Sequence, residues 1–436
     1  MTSTRKAYRA SLLHSLGDPA ELGLEASFQY ISDGVLVVEN GKIAAMGEAA
    51  DLLPTLGADT PVEHFEDALI TPGFVDTHIH LPQTGMIGAY GEQLLDWLNT
   101  YTFPCERQFE NKAHADDVAA RFLAELLRNG TTTAAVYCTV HPQSVGAFFT
   151  ESHRLNTRMI AGKVLMDRNA PAALLDTAER GYAESKALIE RWHGHGRQLY
   201  AVTPRFAPTS TPTQLEAAGR LWREHPGTYL QTHLSENQKE VAWVQELFPD
   251  RAGYLDVYHQ AGLTGRRAIF GHAVHLTEAE FACCHRTGSA LAHCPTSNQF
   301  LGSGLFPLFQ ARRRDRPVCV GLGTDLGAGT SFSLLGTLGE AYKVAHAQDT
   351  TLEALHGFYL ATRGGAEALD LVDSIGSIAP GHEADIVVLD LKATPLLAFR
   401  MAHARDWSEK LFVLMTLGDD RAIRATWVAG ELRHER

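Results

Sequence analysis

The stretch Pro72-Gly73-Phe74-Val75-Asp76-Thr77-His78-Ile79-His80 closes a short apolar run with two histidines spaced two apart. Along an extended strand, residues i and i+2 face the same side. The imidazoles of His78 and His80 therefore point together. A strand end that offers two nitrogens side by side suits one metal ion, and a metal in such a place does chemistry on water. His-x-His also occurs as a pair of partly exposed strand histidines, and this chain has 21 histidines. The pair gains meaning only if the fold brings it further ligands and a group that carries protons.

Four later segments carry suitable residues. They are Gln231-Thr232-His233-Leu234-Ser235-Glu236, Gly271-His272, Gly323-Thr324-Asp325 and Thr203-Pro204-Arg205-Phe206, each at the end of a strand-like run. His78, His80 and His233 with Asp325 make a set of nitrogens and one carboxylate. Zinc takes such ligands at ~2.0–2.2 Å and, in catalytic sites, keeps one position for water. Iron and manganese accept the same donors. Beside a metal, Asp325 is able to hold and deprotonate the water. Glu236, three residues past His233, is placed to carry protons to a substrate. His272 is placed to orient the attacking oxygen or steady developing charge. Singly, His233 and His272 also read as satisfied core histidines, and Asp325 and Glu236 as loop or N-cap carboxylates. Jointly, at several strand ends, they point to one site.

The elements that must position these residues alternate. Strand-like runs fall at 74–80, 132–138, 159–166, 199–203, 228–233, 267–272, 288–293 and 318–324. Helical patterns lie between several of them, as in Asp116 to Asn129, stopped by Gly130, and about Ala178 to Trp192. Strand-plus-helix units in this number predict an α/β fold, a (β/α)8 TIM-like barrel over residues 69–378, whose strand ends converge on one face. The chain ends differ. Residues 28–47 carry the hairpin dipeptides Asp33-Gly34 and Asn40-Gly41, and strand-like runs return at 384–390 and 425–430. They predict a small β-sandwich built from both ends, 1–68 and 379–436. Between Leu81 and Glu110 the alternation is interrupted. An insertion there predicts a lid or pocket wall over the site. Its aromatics Tyr90, Trp97, Tyr101 and Phe103 would line a pocket or pack the lid down.

Composition bounds the rest. With 45% hydrophobic and 20% charged residues, the chain of 436 residues reads as a soluble globular protein. No run approaches the ~18 apolar residues of a membrane span, and the first residues show no apolar core of a secretory signal. A net charge of −13 argues against non-specific nucleic-acid binding. The six cysteines form no C-x-x-C, which predicts reduced thiols and a cytosolic setting.

His-x-His after the first strand, His-x-x-Glu after the fifth, His after the sixth and Asp after the eighth together resemble the amidohydrolase superfamily. More narrowly they resemble its mononuclear purine and pyrimidine deaminases. The segments PGFVDTHIHLPQTGMIGAYGEQLLDWLNTYTFPCE, TPRFAPTS, THLSEN, AHCPTSN and GLGTDLGAGTSFS are similar to those of the guanine deaminase family. The resemblance covers essentially the whole chain, and L-x-W-L-x-x-Y-T-F-P in the lid is its most specific part. It implies one zinc ion (Zn2+) per chain on His78, His80, His233 and Asp325. It implies Gln83 against the purine edge, Arg205 and Phe206 on the base carbonyl and face, Glu236 as proton shuttle, and His272 beside them. The implied reaction is hydrolysis of guanine to xanthine and ammonia, by a cytoplasmic homodimer with no nucleic-acid or membrane partner. Lys163, in the third strand, reads as structural, since that ligand set is complete without it. Two other readings stay open. One is a deaminase of a related heterocycle such as 8-oxoguanine, a pterin, a triazine or a modified adenine. The other, more remote, is a catalytically silent barrel that binds a partner protein.

Overall fold

The computed structural model describes residues 5–91 and 94–436; Met1–Thr4, at the start of the N-terminal segment, and Glu92 and Gln93 of the lid lie outside the described residues. Eight strand positions form a parallel barrel, numbered here within it. They are β1 (Phe74–His80), β2 (Thr131–Tyr137), β3 (Arg158–Gly162, resuming as Val164–Leu165), β4 (Leu199–Pro204), β5 (Tyr229–Leu234), β6 (Ala268–His272), β7 (Ala290–His293) and β8 (Val320–Leu322). Neighbours in this order pair in parallel. The ring closes between β8 and β1. Thr77 Oγ1 donates to the Leu322 carbonyl at 3.1 Å, and the Asp325 N–H donates to the His78 carbonyl at 2.9 Å.

Strands covered on both faces must be apolar throughout, and β1, β2, β5 and β6 are buried at every residue. The lower barrel is filled by one layer of side chains, among them Val75, Ala135, Ile160, Ala201, Tyr229 and Ile269. The histidines and the acidic residues of the candidate set sit at the upper strand ends or just beyond them, while buried threonines such as Thr131–Thr133 open β2 at the lower end. The predicted helices form as Lys112–Arg128, capped by Asn111 and followed by Gly130 at φ 78°, and Ala178–Trp192, capped by Thr177. Lys163 interrupts β3. Its ammonium is buried against Asp176 and lies 3.4 Å from Glu184 on the second of these helices, so it ties strand to helix.

Both chain ends build the second unit, a seven-stranded mixed sheet. Val62–Pro72 from the N-terminal part pairs antiparallel with Ile386–Asp390 from the C-terminal part. Tyr8 and Trp427 stand on strands separated by two others, yet their ring centroids are 5.0 Å apart. Three strand spacings would be about 14 Å in a flat sheet, so the sheet curls over and closes its own core, as a sandwich does.

The two hairpin dipeptides behave differently. Asn40 and Gly41 take φ of 52° and 78° and turn the hairpin as expected. Asp33-Gly34 does not turn; it lies inside the strand Phe28–Glu39. Gly34 there lets the Leu12 side chain approach, since a Cβ would lie 2.5 Å from Leu12 Cγ, and Asp33 pairs with Arg9 at 2.7 Å. A strand glycine at a bulge often marks such a close approach. Two helices, Pro395–Ala402 and Trp407–Leu417, also interrupt the C-terminal strands. Among the described residues no helix is long and apolar enough to cross a membrane.

Candidate active site

Four side chains converge above the barrel core. His80 Nε2 and His233 Nε2 are 3.1 Å apart, and Asp325 Oδ1 lies 3.4 Å from His78 Nε2 and 3.3 Å from His80 Nε2. Donors arranged tetrahedrally at ~2.0–2.1 Å from one ion would be about 3.3–3.4 Å from each other, so the cluster fits a single metal. His233 Nδ1–H donates to the Arg205 carbonyl at 2.7 Å, which leaves the Nε2 lone pair facing the cluster. His78 Nε2 is buried with no hydrogen-bond partner in the protein, and a cation supplies what such a nitrogen lacks. Burial holds His80 and His233 well below the usual imidazole range. For Asp325 burial acts upward, but the neighbouring histidines outweigh it and hold the carboxyl well below its usual range. Neutral imidazoles and an ionised carboxylate are the forms a metal binds.

The backbone around the cluster is built for close approach. β1 slips register between Asp76 and Ile79, the irregularity that re-aims a strand's side chains. The buried Asp76 carboxylate accepts the N–H groups of His78 and Thr324, both at 3.1 Å, and the Thr324 hydroxyl, so it ties β1 to β8 below the cluster. Burial pushes Asp76 up to about 7 despite these bonds. Ser235, His272 and Asp325 have φ of 48°, 69° and 48°. Non-glycine residues in that region are held there by surrounding contacts, often at functional sites. On β6, a Cβ added to Gly271 would lie 2.4 Å from His78 Cε1. Gly271→Ala is expected to destabilise the protein by about 1–3 kcal/mol through overpacking and to lower its metal content. Denaturant unfolding and metal analysis of the purified variant check this; wild-type values of both would show that His78 has room.

Proton-carrying groups stand beside the ligands. Glu236 is buried, and burial pushes its carboxyl up to about 7, with the nearby Glu240 and Asp325 adding to the effect and His272 opposing it. Glu236 Oε1 accepts from the Ser303 hydroxyl at 3.2 Å. Its backbone N–H donates to Glu240 at 2.9 Å, inside a capping box that opens the helix Gln238–Leu247. His272 Nδ1 is 2.8 Å from Asn298 Oδ1, and its Nε2 faces Glu236 at 3.5 Å and Asp325 at 3.7 Å. Burial works against a charged His272, and the two carboxylates outweigh it, so its pKa is raised.

One cavity joins these groups to the lid. His80, His233, Glu236, His272 and Asp325 form its floor, Gln83, Arg205 and Phe206 its polar and aromatic wall, and Leu94, Trp97 and Leu98 of the lid its cover. Counting the part open to solvent, its volume is about 390 Å³. Gln83 fits because residue 327 is glycine at φ 119°; a Cβ there would lie 1.9 Å from Gln83 Oε1. Three of the lid aromatics take the expected roles, and Tyr90, exposed to solvent, takes neither. Trp97 lines the cavity, Phe103 packs beneath the lid, Tyr101 is half-buried and Tyr90 is exposed.

The family model described as the amidohydrolase family matches residues 69–433. The chain belongs to the amidohydrolase family. This amidohydrolase is 53% identical to a guanine deaminase of Escherichia coli over 436 residues, 99% of this chain and 98% of that protein. It is 40% identical to a probable guanine deaminase of Deinococcus radiodurans, covering 98% of each chain. The E. coli enzyme's structure superposes with a TM-score of 0.96 over 99% of this chain and all of that one (100%). A guanine deaminase from C. acetobutylicum, solved with guanine in its active site, matches at 28% identity and a TM-score of 0.87, over 98% and 99% of the two chains.

The candidate residues of this amidohydrolase read from the sequence come together: His80, Gln83, Arg205, Phe206, His233, Glu236, His272 and Asp325 line the cavity, and His78 lies behind its floor, grouped with His80 and His233 and with His272 and Asp325. Three further residues escaped that reading. Asp76 and Asn298 hold ligand strands and His272 in place. Glu106, wholly buried in the lid, pairs with Arg205 at 2.6 Å. Only Asp76 carries a faint signal, an acid directly after the apolar Phe74-Val75; Glu106 and Asn298 lie among polar residues and carry none.

Proposed function

We propose that this amidohydrolase hydrolyses guanine to xanthine and ammonia. The observation that carries the reading is the single cavity whose wall joins the metal-ligand cluster to Gln83, Arg205 and Phe206. The guanine deaminases of E. coli and C. acetobutylicum support it. In the proposed pose, guanidinium N–H groups of Arg205 donate to the C6 carbonyl, Gln83 meets the polar edge, and the Phe206 ring covers the base face. That places C2 over the cluster. A metal held by His78, His80, His233 and Asp325, in our reading one zinc ion per chain, supplies Lewis-acid activation of the attacking water. Asp325 accepts the proton that this water loses. Glu236 delivers a proton to the ring nitrogen beside C2, so negative charge does not build up on the base. His272, oriented by Asn298, donates toward the oxygen as it adds to C2. Asp325 passes the proton it took to the amino nitrogen, the C2–N bond breaks and ammonia leaves, and the proton on the added oxygen returns to Glu236, which restores both carboxyl groups.

All of these residues lie within the 69–378 barrel unit that we assign, flanked by 1–68 and 379–436. The homodimer rests on the family resemblance. A cytoplasmic setting is supported by the six cysteines, none of which is in a disulfide. Ultraviolet and ammonia assays against guanine, 8-oxoguanine, a pterin and a triazine, with metal measured on the same sample, test the reading. Guanine is expected to give the highest kcat/KM, with about one zinc per chain. A higher value for another heterocycle would reassign the substrate, and neither metal nor ammonia would leave a binding protein.

A further inference from the structure

Arg205 is held from two sides. Its backbone belongs to the barrel, with the N–H donating to the Leu165 carbonyl at 3.2 Å and the carbonyl accepting from His233 Nδ1 at 2.7 Å. Its head group belongs to the lid. The Nη1–H donates to Glu106 Oε1 at 2.6 Å, and the guanidinium lies 5.5 Å from the Phe103 ring centroid. Phe103 and Glu106 share the short helix Phe103–Arg107 and, three residues apart, share one of its faces. Among the described residues no other group accepts a hydrogen bond from this guanidinium. Glu106 is wholly buried, and its second oxygen, Oε2, has no partner. The carboxylate is thus committed to Arg205 and not to a wider network. The same helix reaches the other recognition residue, since Cys105 Sγ donates at 3.0 Å to the carbonyl of Pro82, directly before Gln83.

We propose that Glu106 is a positioning residue that sets selectivity for a 6-oxo purine by holding the Arg205 guanidinium. This inference rests on the guanine reading of the same site. An arginine side chain is long and its planar fork directional. Anchored at one Nη, the fork presents its remaining N–H groups along set directions into the cavity. A C6 carbonyl meets them as an acceptor, an amino group there sets donor against donor, and a bare C6 leaves buried donors unpaired. Glutamine at 106 still offers an acceptor oxygen, but it leaves the buried guanidinium charge uncompensated, so the head group is held more weakly and the directional preference falls.

The test compares wild type, Glu106→Gln, Arg205→Met and the double variant. The readouts are kcat and KM for guanine, inhibition by 2-aminopurine (which lacks the C6 oxygen), and metal content. Glu106→Gln is expected to raise KM for guanine about tenfold or more while changing kcat and 2-aminopurine inhibition about twofold or less. The double variant is expected to be no worse than Arg205→Met alone, because coupled residues do not add. Equal losses for both ligands, additive losses in the double variant, or an unchanged KM would each overturn the proposal. Should Glu106→Gln not fold, Glu106→Asp, which keeps the charge but withdraws it by one methylene, is read by the same criteria. Wild type inactive on guanine would instead overturn the reading of function.

Discussion

Glu236→Gln is expected to lower kcat on guanine by about 10²–10⁴-fold, the range lost with a positioned general acid or base, while leaving metal content and folding unchanged. Glutamine keeps the size of glutamate and accepts the Ser303 hydroxyl bond that Glu236 receives at 3.2 Å, but it has no proton to give. The backbone at residue 236 is held independently by Glu240 at 2.9 Å, so the substitution leaves the helix start intact. Glu236 suits its proposed task because its carboxyl is pushed up to about 7, by burial first. A carboxyl titrating there is partly protonated at neutral pH, where an ordinary glutamate is not. The protonated form is the donor to the ring nitrogen, and it is lost as pH rises through about 7. Wild-type kcat is therefore expected to fall on the alkaline side, and the residual activity of Glu236→Gln to lack that fall. Turnover within a few-fold of wild type, with the same alkaline limb, would remove Glu236 from the proton path.

The groups that react were legible because each breaks a pattern. His80, His233, His272 and Asp325 stand at or near the ends of strand-like runs, and the barrel makes the ends of such runs neighbours. The residues that hold them were not legible in the same way. Asp76 meets Thr324 across 248 positions of chain and Glu106 meets Arg205 across 99. Nothing local in either acid names its partner. The close packing of Gly271 on His78 is equally hidden, because a glycine in a strand looks the same whether it serves a bulge or a neighbour's imidazole. Asp33-Gly34 shows the converse. Its dipeptide favours a turn, but the Leu12 side chain and the Arg9 ion pair keep it in a strand. Local propensity lost to tertiary contact there, and won at Asn40-Gly41, where the chain reverses with both residues at positive φ.

Stripping the metal with a chelator is expected to abolish ammonia release and to lower the melting temperature, with zinc restoring both. The ligands explain the size of the effect. Asp325 is at once a ligand and, in the proposed reaction, the acceptor of the water's proton. His78 and His80 are buried 3.4 and 3.3 Å from Asp325, and a ligand present at 1,000 times its Kd stabilises a fold by about 4 kcal/mol. The pH dependence of reloading separates this site from an exposed histidine cluster. Protons compete with a metal only near the pKa of its ligands. Burial holds His80 and His233 well below 6.5, so both stay neutral as pH falls through the range where an exposed imidazole charges. Zinc reloading is therefore expected to stay level from pH 8 down to about 6.5, the usual imidazole value, and to fail only in more acid solution. Loss of reloading already between pH 7 and about 6.5 would mean that the histidines meet solvent when the metal leaves. Full activity in a sample shown to hold no metal would sink the metal-dependent reading altogether. In that case Glu236 and His272 would have to activate water without a Lewis acid, although the buried cluster beside them offers unpaired nitrogen to a cation.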